Sequence, residues 1–356
     1  MLATFGVADQ LTIGSLTIDD SSVPRRQTQQ SSIANSAIVN SPGTAALGAA
    51  AARRGIWLRL AALCYPFSVN TTHLRRREFL KTGLLAGGCL PACAAKPGIR
   101  RATDVVELGP DKVKLSRLAM GTGTRGYAKS SNQTRKLGLQ GLADLLRFGY
   151  DNGLIFWDSA DGYGSHPHVK EALKTVAREK VTILTKTRAR TAEEMRADLD
   201  RFRQEIGADY LDIVLLHAMM QADWPEPRKG AMEVLSEARQ KGIVHTHGVS
   251  CHSFEALKTI AKTPWARANL IRINAAGVLM DADPKSVVPV MRGMKANGQG
   301  VIGMKILGEG QLRDRVDEML RFALSLDCLD CFTIGVESRQ EVADLIKRIP
   351  GASQAA

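Results

Sequence analysis

Short apolar runs alternate with amphipathic stretches of helical length from about residue 118 to the end of the chain. The apolar runs predict strands at 118–121, 155–158, 181–186, 213–217, 244–250, 270–274, 301–305 and 331–335. The amphipathic stretches predict helices at 139–152, 168–178, 191–206, 231–240, 254–261, 284–296, 313–326 and 339–348. Eight strand–helix pairs over about 250 residues are typical of an α/β fold of the (β/α)8 TIM-barrel type.

A hairpin is predicted immediately before the first barrel strand. Gly109-Pro110-Asp111-Lys112 supplies turn residues between two short apolar runs. A doubly wound sheet is the alternative architecture, because residues 121–126 read GTGTRG and match G-x-G-x-x-G. The following helix begins only near Thr134, and this motif alone is weak. The barrel is therefore favoured, with residues 98–356 as its domain and residues 1–97 as a separate leader.

Polar side chains lie at the ends of the predicted strands. They are Asp158, Lys186, His217, Ser250, Asn274 and Lys305, with Tyr163 in the Gly-rich turn that follows Asp158. In TIM barrels the active site is built at the carboxyl ends of the strands. Each of these residues alone could be a cap, a turn residue or a satisfied core side chain. Their joint placement predicts an enzyme.

The same residues resemble the aldo/keto reductase family. WDSADGYG resembles its D-x-A-x-x-Y-G signature, TILTK its lysine strand and YLDIVLLH its histidine strand. GVS at 248–250, MKILGEG from residue 304 and TIGVES from residue 333 resemble its cofactor-binding strand ends. The resemblance covers residues 105–348. It implies a barrel that transfers a hydride between NADP or NAD and a small-molecule carbonyl or alcohol.

The resemblance also implies catalytic roles. Tyr163 would donate a proton to the carbonyl oxygen, and Lys186 would lower the pKa of that phenol. Asp158 would hold Lys186 in place, and His217 would orient the substrate. The implied cofactor contacts are Gly121, Thr122, Ser250, Cys251, Arg272, Met304, Lys305, Leu307, Gly335, Ser338 and Arg339.

Three positions depart from the family pattern. Cys251 stands where many relatives have Asn, and Arg272 stands where many have Gln. Glu337 follows the last strand, where relatives often have basic residues for the adenosine 2′-phosphate. A carboxylate would repel that phosphate, so NAD is an alternative to NADP.

Two other functions are open from the residues. The barrel could keep its cofactor as a structural ligand and act as a non-turnover regulatory or structural module. A metal-dependent hydrolase could use His217, His245, His247 and His252, with His245 and His247 both facing inward. No carboxylate cluster completes such a site, so no metal is expected. His166 and His168 are interpreted as solvated loop residues near the mouth of the site.

The leader has a different composition. Its first 70 or so residues are rich in Ser, Thr, Ala and Gln without periodicity, which predicts disorder. RRREFLK at residues 75–81 then resembles a twin-arginine export signal, followed by a weakly apolar segment up to about residue 95. Cys89 and Cys93 each lie in a loose lipoprotein box. We expect an exported protein, periplasmic or lipid-anchored to the membrane, or a cytoplasmic one if the leader does not function.

Charge and cysteine content add two exclusions. The net charge is +12, but residues 1–97 carry ten Lys or Arg and four Asp or Glu, which is half of it. The mild remainder indicates no nucleic-acid partner. Only Cys251, Cys328 and Cys331 lie in the body of the chain, too few for a disulfide framework. Cys328 and Cys331 form a lone C-x-x-C and are expected to be ordinary buried cysteines.

Overall fold

The computed structural model describes residues 98–356. The predicted leader, its twin-arginine segment, Cys89 and Cys93 lie outside the described residues. The described chain begins with an antiparallel hairpin of β1 (Val105–Leu108) and β2 (Val113–Ser116). The barrel strands are β3 (Leu118–Gly121), β4 (Phe156–Asp158), β5 (Thr182–Thr187), β6 (Leu211–Met219), β7 (Val244–Cys251), β8 (Ala268–Arg272), β9 (Gly300–Met304) and β10 (Cys331–Gly335). The helices are α1 (Asn132–Asp151), α2 (His166–Ala172), α3 (Ala192–Ile206), α4 (Lys229–Gln240), α5 (Phe254–Lys262), α6 (Pro284–Ala296), α7 (Val316–Ser325) and α8 (Arg339–Gln354).

The eight later strands form a closed parallel barrel. Each strand pairs with the next, and β10 closes the ring by pairing with both β9 and β3. One helix follows each strand, so the predicted (β/α)8 fold is confirmed. Because all eight strands are parallel, their carboxyl ends meet on one face, where their terminal side chains converge.

Two apolar layers hold the barrel together. The inner layer fills the barrel and includes Phe156, Leu184, Ile213, Leu270 and Ile302. The outer layer lies between strands and helices, because alternate strand residues face opposite ways. In β5, for example, Ile183 belongs to the outer layer and Leu184 to the inner one.

The hairpin packs against the amino-terminal ends of the strands. Leu108 and Leu115 are buried in the inner layer. Gly109 lies so close to the starts of β8 and β9 that a Cβ there would be 2.6 Å from the Arg267 carbonyl oxygen and 3.2 Å from the Gly300 nitrogen. Asp111 in the hairpin turn accepts hydrogen bonds from Arg267 and from the Thr246 hydroxyl. The hairpin thus covers the end of the barrel opposite to the predicted active site.

Several helix boundaries differ from the sequence prediction. Helix α1 is kinked at Gly138, where φ is 63°. Ser131 caps the short segment before the kink in a capping box with Thr134, and the predicted helix at 139–152 corresponds to the segment after the kink. Helix α2 begins at His166 with Pro167 in its first turn and ends at Ala172, six residues before the predicted end. The predicted capping box of Thr191 and Glu194 at the start of α3 is confirmed.

None of the helices between residues 98 and 356 combines the length and the apolar character that crossing a membrane requires.

Candidate active site

Asp158 and Lys186 form a buried ion pair where β4 and β5 end. Lys186 is fully buried, and its ammonium donates to Asp158 Oδ1 and, over 2.7 Å, to the Ser159 carbonyl oxygen. The neighbouring strands β4 and β5 are in register from Phe156 to Asp158, which brings the two side chains to the same edge. Removing one partner of such a pair leaves an uncompensated charge, which typically costs about 3–5 kcal/mol.

Tyr163 lies in the short 3-10 turn Asp161–Tyr163 that follows β4. The Lys186 Nζ atom lies 4.6 Å from the centroid of its ring. The edge of the ring meets His217 of β6, with 5.6 Å between ring centroids and 83° between the planes. The structure therefore brings together all four residues predicted to be catalytic, and their roles remain predictions.

Two glycines, Gly123 and Gly126, lie against different carbon atoms of the Tyr163 ring. A Cβ at Gly123 would lie 2.1 Å from Cε2 of the ring, and a Cβ at Gly126 would lie 2.2 Å from Cδ1. Only the absence of both side chains allows the loop after β3 to approach so closely. In the sequence this glycine motif is only a weak indication of a doubly wound sheet, and its contact with Tyr163 was not predicted.

Burial and nearby charges act in opposite directions on the pKa values of Tyr163 and Lys186. Burial raises the pKa of the Tyr163 phenol above its usual value, although the Lys186 charge lowers it in part. The Lys186 charge thus acts on the Tyr163 pKa in the expected direction, but burial outweighs it. Burial by itself would lower the pKa of Lys186, but the charges of Asp158 and Tyr163 raise it. At neutral pH the pair is a protonated phenol beside an ammonium ion.

His217 is a neutral imidazole at neutral pH. Burial and the nearby charge of Lys186 hold its pKa well below the usual value. Its Nδ1 atom is buried and has no hydrogen-bond partner among residues 98–356. His252, with its ring centroid 6.4 Å away, has a pKa lowered to about 3, chiefly by burial and the Arg272 charge. Both imidazoles are therefore neutral, and His217 offers its hydrogen-bonding groups beside Tyr163.

A cleft of about 530 Å³ opens beside Tyr163 and Asp158. It extends past the loop after β9 to the first turns of α1 and α8. Its charged lining residues are Arg125, Lys136, Asp158, Lys305, Glu309, Arg313, Glu337, Glu341 and Asp344. Clefts of this size are typical of small-molecule and cofactor sites.

Five of the eleven residues predicted to contact a cofactor line this cleft. They are Gly121, Met304, Lys305, Leu307 and Gly335. Ser338 instead caps α8 by accepting from the Glu341 backbone N–H, and the Arg339 guanidinium lies over the Phe148 ring. Ser250 is buried, and its Oγ has no hydrogen-bond partner in the described part of the chain.

Three of the predicted contacts have other partners in this structure. The fully buried Thr122 donates to the Asp158 carbonyl oxygen and so supports the active-site strand end. Cys251 packs in the outer apolar layer, where burial raises its pKa to about 12. Arg272 approaches Asp281 of the following loop, with 3.4 Å between Nη1 and Oδ1. Asp281 was missed in the sequence because it lies nine residues beyond Arg272 in an irregular loop.

The predictions for the other histidines need correction. His245 stacks on Tyr210 and His247 on Trp265, so neither faces the barrel interior. They point to the helix layer because they share the strand face of Val249. His166 is also not solvated: only 2% of it is exposed, and both ring nitrogens have partners. Asp161, His166 and Glu205 lie close enough to hold a metal, but Arg201 already neutralises both carboxylates.

The three cysteines of residues 98–356 are free and buried, as expected for Cys328 and Cys331. Burial raises the pKa of the Cys331 thiol well above its usual value. A protonated, enclosed thiol is unreactive, so the C-x-x-C is part of the core packing.

The (β/α)8 barrel and the site formed by Asp158, Tyr163, Lys186 and His217 together indicate one family of proteins. The sequence model of the aldo/keto reductase family matches residues 117–343, and the chain belongs to this family.

The similar proteins of known name match only part of the chain. An NAD/NADP-dependent indole-3-acetaldehyde reductase of Schizosaccharomyces pombe is 27% identical over 162 residues, which cover 45% of this chain and 54% of the relative. Aldo-keto reductase family 1 member C21 of Mus musculus is 26% identical over 145 residues, covering 34% and 45%. The chain thus spans about half the length of these curated relatives.

Solved structures share the fold. An aldo-keto reductase from Bacillus halodurans, in its holo form, superimposes with a TM-score of 0.57 at 16% identity, over 71% of this chain and 94% of that chain. An aldo/keto reductase from Klebsiella pneumoniae, in complex with NADP and acetate, gives 0.54 at 19% identity, over 69% and 89%.

Proposed function

We propose that this protein is an NAD(P)-dependent oxidoreductase that interconverts a small-molecule carbonyl compound and its alcohol. The observation that carries the proposal is that Tyr163, which lines the cleft, is in contact with both Lys186 and His217. A protonated phenol, an ammonium ion and a neutral imidazole together can donate to and orient a carbonyl oxygen. The family membership and the names of the relatives support the same reaction class.

The cleft suits a dinucleotide. It passes the first turns of α1 and α8, whose backbone N–H groups favour the anionic part of such a molecule. Lys305 and Arg313 add positive charge along its length. Gly121, Met304, Leu307 and Gly335 would line the bound cofactor. Ser250, with its unpartnered buried hydroxyl, would be the donor or acceptor at the barrel mouth.

When bound, a reduced nicotinamide supplies the hydride that reduces the carbonyl carbon. Tyr163 donates its phenolic proton to the carbonyl oxygen as negative charge develops there. Lys186 stabilises the resulting phenolate by charge, while Asp158 keeps the ammonium in place. His217 donates a second hydrogen bond that orients the oxygen, which requires its neutral N–H tautomer. In alcohol oxidation the same groups act in reverse.

We also propose that the leader directs export of the folded protein through its twin-arginine segment at residues 75–81. Cys89 or Cys93 would serve as a lipid anchor if the lipoprotein box is used. Cell fractionation of the natural sequence and of the Arg76→Lys, Arg77→Lys double variant tests this. Retention of both proteins in the same compartment would contradict export by this route.

Oxidation of NADH and NADPH in the presence of an aldehyde and ketone panel tests the catalytic proposal. Turnover in the wild type that is lost in Tyr163→Phe, with cofactor affinity preserved, would support it. If the cofactor binds tightly but no carbonyl is turned over, the chain is instead a non-turnover module that keeps its cofactor as a ligand. If no cofactor binds, both proposals fail.

A further inference from the structure

Three side chains of α3 form a polar seam beneath the active site. Asp198, Arg201 and Glu205 share one face of the helix because they are spaced three and four residues apart. Arg201 connects them: its Nη2 lies 2.6 Å from Asp198 Oδ1, and its Nη1 lies 3.0 Å from Glu205 Oε1. We call these three residues the α3 seam.

The seam holds the turn that carries Tyr163. Arg201 Nη1 also donates to Asp161 Oδ1 over 2.6 Å, and Asp161 begins that turn. Lys129 pairs with the same carboxylate, and its backbone N–H donates to the Gly162 carbonyl oxygen over 2.9 Å. The turn is therefore fixed from α3 on one side and from the β3–α1 loop on the other.

The seam also holds the strand that carries Lys186. Asp198 accepts a hydrogen bond from the Thr187 hydroxyl. Glu205 Oε2 lies 2.7 Å from His166 Nδ1, and His166 Nε2 lies 2.7 Å from the Thr185 hydroxyl. Thr185 and Thr187 flank Lys186 in β5, so their side chains face α3 while that of Lys186 faces the site.

We propose that the α3 seam is a positioning device that sets the separation and orientation of Tyr163 and Lys186. The inference rests on the proposed function and deepens it. One rigid helix face is bonded to the turn of the proton donor and to the strand of its ammonium partner. Proton transfer is sensitive to such geometry, since a 1 Å displacement can cost about a hundredfold in rate.

The charges of Arg201 and Glu205 persist over a wide pH range. The His166 hydrogen bond and the Arg201 guanidinium lower the pKa of Glu205 to about 2. Hydrogen bonds to Asp161, Asp198 and Glu205 outweigh burial and raise the pKa of Arg201. Arg201 and Glu205 therefore stay ionised at neutral pH.

Arg201→Gln tests the device, with Arg203→Gln on the same helix as the matched control. Arg203 pairs with Asp200 and reaches only the Asp209 carbonyl oxygen, away from the site. We expect kcat to fall about tenfold or more in Arg201→Gln, while cofactor affinity stays within about twofold. Arg201→Lys should recover part of the loss. Equal kcat in Arg201→Gln and Arg203→Gln would overturn the inference.

A second readout needs no turnover. The ultraviolet absorbance titration of Tyr163 is isolated by subtracting the curve of Tyr163→Phe. Thr185→Val removes the His166 hydrogen bond to β5 and leaves the side chains of Asp158 and Lys186 in place. We expect the Tyr163 titration to move to higher pH, because Lys186 would act on it less strongly. An unshifted titration would contradict the seam. If the Tyr163 titration shifts as expected in Thr185→Val but the wild type turns over no carbonyl compound, only the proposed function is refuted and the positioning role of the seam stands.

Discussion

The backbone of Gly123 rests against the ring of Tyr163. A Cβ added at residue 123 would lie 2.1 Å from Cε2 of that ring, far inside van der Waals contact. Because the contact is with the ring of the proposed proton donor itself, the glycine limits where the phenol can lie. The loop after β3 is thus part of the active site although Gly123 has no side chain to contribute to the chemistry.

Gly123→Ala should displace Tyr163 and reduce kcat by about tenfold or more, because proton donation depends on the position of the phenol. Steady-state kinetics measures this. Gly162→Ala is the matched control, since Gly162 lies in the same turn and a Cβ there would have no atom within 4 Å. Equal activity of the two alanine variants would mean that Gly123 does not position the ring.

The contact of Gly123 and Gly126 with the Tyr163 ring shows what a sequence motif does and does not predict. Residues 121–126 match G-x-G-x-x-G, a pattern that usually indicates phosphate binding before a helix. In this barrel Gly123 and Gly126 instead leave room for the aromatic ring of Tyr163, which lies 40 residues after Gly123 in the sequence. The glycine motif indicates where the backbone is free of side chains. Which side chain packs into that space depends on the fold.

The pH profile of carbonyl reduction should be flat between about pH 7 and pH 9. Tyr163 must be protonated to donate, and its raised pKa keeps it so until the pH passes its usual value. His217 must be neutral, and its lowered pKa keeps it so until the pH falls well below 6.5. The dependence of kcat/KM on pH checks both limits.

An acid limb close to pH 6.5 would show that His217 titrates like an exposed imidazole. An alkaline limb near pH 8 would show that Lys186 lowers the Tyr163 pKa more than burial raises it. Either result would contradict the protonation states described for the site.

Periodicity predicted the barrel well because each strand is buried and each helix is amphipathic. All eight strands and all eight helices occur in the predicted order. The predicted helix boundaries were less accurate where a capping side chain or a glycine kink sets the end of a helical segment, as at Ser131 and Gly138. The strand at residue 213 extends from Leu211 to Met219, because its ends pair with Val244 and Cys251 of β7.

The catalytic side chains were predictable because they lie at strand ends, whereas their environment was not. The pKa of Tyr163 depends on burial among loops, which no spacing in the sequence reveals. The partners of Arg272 and His166, which are Asp281 and Glu205, lie 9 and 39 residues away in the chain. Such pairings require the fold before they can be recognised.

Glu337→Gln should improve NADPH binding relative to NADH. The Glu337 carboxylate lines the cleft and is held by Asn132, over 3.0 Å, and by Lys136. These hydrogen bonds outweigh burial and lower its pKa, so it carries a negative charge that repels an added phosphate. We expect NADPH affinity to rise about fivefold, from roughly 1 kcal/mol of repulsion removed.

Fluorescence titration of both nucleotides measures the change. Glu318→Gln is the control, because Glu318 pairs with Arg315 outside the cleft. If the wild type already prefers NADPH and Glu337→Gln leaves the preference unchanged, then Glu337 does not contact the part of the cleft that distinguishes the two nucleotides.

Transfer of deuterium from the nicotinamide 4-position to a carbonyl substrate tests the central claim most directly. With a labelled reduced cofactor, the wild type should yield an alcohol with one deuterium on the carbinol carbon, detected by mass spectrometry. Tyr163→Phe should bind the cofactor equally well and yield almost none. Label transfer of equal rate in both proteins, or none in the wild type with cofactor bound, would contradict the account.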